Sequence, residues 1–224
     1  MPEKTRLILY GNGKMAELVL GQMAGDARYQ VCAVAADAPH VTGSSFRGLP
    51  QMTVEEAAQR FPPGDFAMLV AVGYRRMRSR REMFLRAKGL GYRLINYIGP
   101  GARVHDDLKL GENVIVFEMA YLGPMGRIGS NVIVRPQAYV GHDFAIGDHA
   151  FISAGAVLGG RGQIGELSFV GLSATVLDGV TVADECLIAA GALVVKNTEP
   201  SGLYLGQPAR RVREFADTGV TVGE

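Results

Sequence analysis

The stretch YVGHDFAIGDHAFISAG, residues 139–155, carries aliphatic side chains at Val140, Ile146 and Ile152, six residues apart. Stepping outward at the same interval finds Ile98, Val104, Leu110, Val116, Leu122, Ile128 and Val134 upstream. Downstream it finds Leu158, Ile164, Val170, Val176, Val182, Ile188 and Val194. All 17 positions are Ile, Leu or Val, and the next residue is Gly at nine of them. Four residues after the aliphatic the side chain is usually small, as at Ala138, Ala150, Ala156, Ala174 and Cys186. Six residues make one short strand and a turn, with the aliphatic inward and the small residue at a corner. Three such sides close a coil of 18 residues, and coils stack at strand spacing, about 4.8 Å. Residues 98–199 therefore read as a parallel β-helix of five to six coils. A prism of stacked coils cannot cover its own ends. The N-terminal region 1–97 is expected to cap one end. PSGLYLGQPARRVREFADTGV, within residues 200–224, is expected to cap and extend the other.

Residues 5–97 alternate strand and helix patterns. TRLILYG and QVCAVAAD read as strands and KMAELVLGQMA as the helix between them. MTVEEAAQRF reads as a short helix, and DFAMLVAVG as a continuous apolar strand of the kind buried in parallel sheets. RRMRSRREMFLRAKGLG reads as a helix with a glycine stop, and YRLINYI as a last strand. The expectation is a three- or four-stranded open α/β unit, half of a dinucleotide fold. Its first strand–helix turn holds GNGKMA, Gly11 to Ala16, matching G-x-G-x-x-A, and Asp37 follows at the end of the second strand. That fingerprint suggests a nucleotide at a helix N-terminus. A full dinucleotide site would need the missing second half of the sheet. A tight turn that needs glycine for backbone reasons explains the same residues.

Bulk composition narrows the classes. The 224 residues are 48% apolar and 20% charged, with formal net charge +1, so no strong field draws nucleic acid or an anionic membrane. Glycine, at 30 residues, is roughly twice its usual share. Two cysteines, Cys32 and Cys186, stand far apart without motif spacing and fit reduced thiols of a cytoplasmic protein. The apolar run near the N-terminus is too short for a signal peptide, and no stretch approaches a membrane span, so no membrane insertion is expected.

The repeat resembles that of the hexapeptide acyltransferases. Their prism is a left-handed β-helix, which implies left-handed coils here against the usual right-handed crossover rule. Those proteins are typically homotrimers that bind acyl-CoA between neighbouring prisms. The half-Rossmann unit joined to the prism is similar to the bacterial sugar acyltransferases of bacillosamine and perosamine synthesis and to the sialic-acid O-acetyltransferase group. The resemblance spans nearly the whole chain and rests on LILYGNGKMAE, AVGYRRMRSR, GHDFAIGDHAFISAGAVLGG, FVGLSATVLDGV and GQPARR. It implies a nucleotide-sugar substrate on the N-terminal unit, acetyl-CoA as co-substrate on the prism, and no metal.

The family's base is a histidine followed by an acid, just before an I-G-D/E repeat, which here is His142-Asp143 before Ile146-Gly147-Asp148. Neutral imidazole titrates near 6.5 and can take a proton from an attacking amine or hydroxyl, and a carboxylate can fix its tautomer. Adjacent residues on a straight strand face opposite ways, so sequence leaves open whether Asp143 reaches His142. One coil later comes Gly160, whose N–H could bond the thioester oxygen, the role the resemblance assigns to it. A surface histidine without a role is the plain alternative for His142 and the favoured reading of His149. Metal ligation is disfavoured, because His142 and His149 fall at different phases of the repeat and no histidine follows in later coils.

Many relatives carry a second histidine where this chain has Phe151. Phe151 stacks one coil before Phe169 and suggests an apolar wall near the acyl group. By resemblance the CoA contacts are Phe151, Leu172, Ala190, Gly206, Pro208 and Arg210. Those to the nucleotide sugar are Gly11, Gly13, Lys14, Asp37, Gly73, Tyr74 and Arg75. In RRMRSRR, Arg75 or Arg76 could hold a diphosphate, while most of the run reads as a solvated basic face. The expected reaction is acetyl transfer to the amino group of a nucleotide-linked amino sugar for surface glycan synthesis. O-acetylation of a sialic-acid-like sugar, or a non-catalytic or NAD-binding scaffold, are the alternatives.

Overall fold

The computed structural model describes residues 4–215 and 219–223; the rest of the C-terminal segment, residues 216–218 and 224, lies outside the described residues. The chain divides into two compact units, residues 1–73 with 82–96 and residues 74–81 with 97–224.

The first unit is a sheet with helices. Its strands are β1 (Thr5–Tyr10), β2 (Tyr29–Ala36), β3 (Ser45–Phe46), β4 (Leu49–Thr53), β5 (Ala67–Val70) and β6 (Arg93–Leu94), in the order β3-β4-β2-β1-β5-β6. All neighbours are parallel except the β3–β4 hairpin. The sheet thus has six strands where three or four were expected. The added pair comes from SFRGLPQMT, whose Arg47-Gly48 turn takes positive φ at both residues. Arg47 gives no hairpin signal of the Asn-Gly kind. YRLINYI is not one strand: Arg93–Leu94 closes this sheet and Tyr97–Ile98 opens the prism.

Three helices accompany the sheet: α1 (Lys14–Met23), α2 (Val54–Arg60) and α3 (Met77–Gly89). α2 begins with a capping box between Thr53 and Glu56, which satisfies two of its first amide donors. The central strands read Leu7, Ile8, Leu9 and Ala33, Val34, Ala35, all fully buried, as strands covered on both faces must be.

The second unit is the prism. Seventeen two-residue strands run from Tyr97–Ile98 to Leu193–Val194, and each of the first fourteen pairs in parallel with the strand 18 residues on, as Tyr121 does with Tyr139. They form three faces. The first holds Tyr97–Ile98 and its successors, the second Arg103–Val104 and the third Lys109–Leu110. The aliphatic column fills the interior and is buried throughout its middle coils; each such side chain contributes about 1.5–3 kcal/mol. The corners have a feature of their own. The third residue after the aliphatic takes positive φ in 15 of the hexads, and 11 of those residues are not glycine. The glycine directly after the aliphatic has a spatial cause: a Cβ at Gly141 would stand 2.7 Å from the amide nitrogen of Gly160.

Gly202–Gly206 pairs in parallel with Leu187–Ile188, then turns back through Ala209–Glu214. A cover lies on the first face. Tyr74 packs its ring on Phe151 and Phe169, and Met77 bonds the carbonyl of Val220 through its amide.

Candidate active site

His142 sits at the corner after the second face, two residues past Val140. Its neighbour Asp143 has φ 53°, the left-handed conformation that the corner requires. That turn swings both side chains to one side, and His142 Nδ1 lies 2.8 Å from Asp143 Oδ2. A carboxylate can only accept, so in the neutral imidazole Nδ1 carries the proton and Nε2 keeps its lone pair. Both side chains are about half exposed.

Stacking at 18 residues puts Gly160 directly beneath. A Cβ there would stand 2.7 Å from His142 Nε2, so only glycine lets the ring lie where it does. The Arg161 amide bonds the His142 carbonyl at 2.9 Å and fixes the register of the two corners. The expected use of the Gly160 amide is corrected. Its N–H donates to Asp178 Oδ1 at 2.6 Å and is not open to a thioester oxygen. The cause is a corner device that recurs where Ser130 and Glu166 donate to Asp148 and Asp184. Asp178 was missed, although it lies 36 residues, two coils, after His142.

His149 occupies a different environment. It is buried, and its Nδ1 lies 3.1 Å from the Asn131 side-chain amide. Burial first, and the nearby Arg80 guanidinium second, push its pKa down to about 4. Arg80 is itself buried; its Nη2 donates to the carbonyls of Asn131 and His149, and burial lowers its pKa to about 9. Arg78 pairs with Glu185 at 2.7 Å. The basic run is therefore not a wholly solvated face: two of its arginines hold the start of α3 to the corner between the third and first faces. Among the described residues no group of three His, Cys, Asp or Glu is arranged to hold a metal.

Phe151 and Phe169 stack as the repeat arithmetic requires, with centroids 5.4 Å apart. The expected apolar wall near an acyl group is corrected, however. Phe151 is 1% exposed because Tyr74 covers it, so it offers no surface to an acyl group. The other CoA candidates gather at the corner after the first face. Leu172 is exposed, and its carbonyl accepts from the Gly191 amide beside Ala190. Gln207, between Gly206 and Pro208, donates its side-chain amide to the Gly191 carbonyl at 2.6 Å. Arg210 stands exposed on the returning strand of the hairpin. One chain thus carries its histidine and its CoA candidates on two different corners.

In the first unit, Gly11 has φ 128°, and a Cβ would stand 2.6 Å from the Ala71 carbonyl oxygen. Gly13 stands at the N-cap of α1, where no side chain caps the first amides of the helix. Lys14 pairs with Glu17 rather than pointing free. Gly73 lies at the end of this unit's first segment, three residues past β5, and Tyr74 and Arg75 belong to the second unit. Asp37 accepts from the Tyr10 hydroxyl and, at 2.7 Å, from Arg86 Nη1.

A family model described as bacterial transferase hexapeptide (six repeats) matches residues 126–160. The chain is similar to the acetyltransferase domain of PglB from Neisseria gonorrhoeae FA1090, with 28% identity over 93% of this chain and 100% of that one, at TM-score 0.85. The same domain in complex with acetyl coenzyme A aligns at 29% identity over 94% and 100%, TM-score 0.83. PerB from Caulobacter crescentus, solved with CoA and GDP-perosamine, aligns at 27% identity over 92% and 97%, TM-score 0.83. A search of the curated proteins finds no match.

Proposed function

We propose that this chain is a hexapeptide-repeat sugar acyltransferase, of the left-handed β-helix kind seen in the bacillosamine and perosamine N-acetyltransferases and their O-acetylating relatives, and that it moves acetyl from acetyl-CoA to the amino group of a nucleotide-linked amino sugar. The observation that carries the reading is the His142–Asp143 pair over a glycine. The bond from Nδ1 to Asp143 leaves the Nε2 lone pair facing a surface that Gly160 keeps free of side chain.

The chemistry follows from that arrangement. The neutral amine of the sugar attacks the thioester carbonyl, and Nε2 of His142 takes the amine proton as the C–N bond forms. Asp143 stabilises the imidazolium. The tetrahedral intermediate collapses with cleavage of the C–S bond, and His142 returns the proton to the departing CoA sulfur. Gly160 contributes space, and Asp178 keeps its peptide in place.

The CoA candidates Leu172, Ala190, Gly206, Pro208 and Arg210 stand on another corner, so a neighbouring prism that brings its own corner to His142 completes the site. This supports a homotrimer. The same reading has Gly11, Gly13 and Asp37 hold the nucleotide in a cytoplasmic reaction that feeds surface glycan synthesis. Among the described residues no helix is long and apolar enough to cross a membrane.

The test is thiol release from acetyl-CoA with UDP-, GDP- and dTDP-linked 3-amino and 4-amino sugars as acceptors. Turnover on one amino sugar supports the reading. Turnover only on hydroxyl acceptors moves the reaction to O-acetylation. Failure to bind acetyl-CoA, with enhanced NADH fluorescence on mixing, replaces an enzyme with an NAD-binding scaffold.

A further inference from the structure

The carboxylate of Asp37 is held in an asymmetric way. Tyr10, the last residue of β1, donates its hydroxyl to Oδ1 of Asp37, one residue past the end of β2. Arg86, on α3, donates Nη1 to the same oxygen at 2.7 Å. Its Nη2 is held in turn by Glu55 in the first turn of α2. Among the described residues no hydrogen bond reaches Oδ2. Asp37 keeps 29% of its side chain exposed.

The surroundings fit a nucleotide rather than a purely structural knot. Asn12, between the two glycines of the turn, donates its side-chain amide to the His40 carbonyl at 2.6 Å. This ties the glycine turn to the loop that follows Asp37, so the turn before α1 and the carboxylate share one end of the sheet. An acid at the end of the second strand of such a unit can accept hydroxyl protons from a ribose. Tyr10 stays a donor: burial, and then its bond to Asp37, raise its pKa above the usual tyrosine value.

We propose that Arg86 is a positioning residue of the nucleotide subsite. Together with Tyr10 it occupies Oδ1 of Asp37 and leaves Oδ2 to accept a ribose hydroxyl, so the chain selects ribonucleotide-linked sugars over their 2′-deoxyribonucleotide counterparts. The inference rests on the nucleotide-sugar reading above and sharpens it toward UDP- or GDP-linked substrates.

The experiment is equilibrium binding of UDP, GDP, 2′-deoxy-UDP and 2′-deoxy-GDP to the full chain, beside Arg86→Gln and Tyr10→Phe. A hydrogen bond to a charged group corresponds to roughly tenfold or more in affinity. The ribo form of the preferred base should bind the wild type about tenfold more tightly than its deoxy form. Arg86→Gln should erase most of that ratio and raise KM for the nucleotide sugar, with KM for acetyl-CoA unchanged. Tyr10→Phe should reduce the ratio in the same direction. A loss of stability alone would leave the ratio intact. Nucleotide binding with no ribose preference, or a preference that survives Arg86→Gln, overturns this inference and leaves the nucleotide-sugar reading standing. Binding of none of the four overturns both.

Discussion

His142 and Gly160, 18 residues apart, meet so closely that a single methyl group at Gly160 would stand 2.7 Å from Nε2. The base therefore owes its position to a missing side chain in the next coil. Gly160→Ala should force the ring away while the coil stays folded, since Gly160 has no positive φ to protect. A displacement of about 1 Å in a reacting group can cost roughly 10²-fold in rate. We expect kcat to fall by about that factor with little change in Tm, measured by thiol release and thermal melting.

Asp143 adds orientation. Its φ of 53° suits aspartate or asparagine, which tolerate the left-handed region better than most residues. Asp143→Asn should keep the corner and lose the charge that stabilises the imidazolium. A fall in kcat of roughly tenfold is expected, with KM for both substrates nearly unchanged. Steady-state kinetics on the purified variant checks it.

His149 makes stability depend on pH. Its folded pKa of about 4 lies below the ordinary 6.5, because burial and Arg80 disfavour the charged ring. Between those values the unfolded chain binds a proton that the folded chain does not. Stability from this group is complete above about pH 6.5 and is lost as pH falls toward 4, by up to roughly 3 kcal/mol. Urea unfolding across that range should follow this curve. His149→Asn, which also suits the left-handed position of His149 at φ 62°, should flatten it.

Phe151 is a structural anchor for the segment that begins at Tyr74. Phe151→Ala should cost about 3–5 kcal/mol, as large-to-small core changes do. Tyr74→Ala should cost less and expose Phe169. Chemical denaturation of the two variants separates these values, and a Phe151→Ala variant of wild-type stability would refute the packing.

The prism was open to reading because its signal is additive: 17 aliphatics at one spacing specify strand, face and register together. The pairing of Tyr121 with Tyr139, or Phe151 with Phe169, follows from adding 18. The corners were less legible. Met119, Gln137 and Leu167 take positive φ there, and none of those residue types announces it. The Asp143 side chain therefore could not be aimed from sequence, although its adjacency to His142 could be seen. Arg78 and Arg80 looked solvated because a run of charge carries no mark of the surface that will cover it. The β3–β4 pair hid behind the Arg47-Gly48 turn, where arginine stands in place of the asparagine or aspartate that marks a hairpin. Asp178 was within reach, since the arithmetic that finds Gly160 finds it one step later.

The most direct measurement compares wild type and His142→Ala in thiol release from acetyl-CoA, using the amino-sugar acceptor that the wild type turns over, with acetyl-CoA binding measured beside it. The base assignment requires kcat to fall at least ~10²-fold while acetyl-CoA binds as before. A variant that keeps wild-type turnover would contradict it and move the proton transfer to another group.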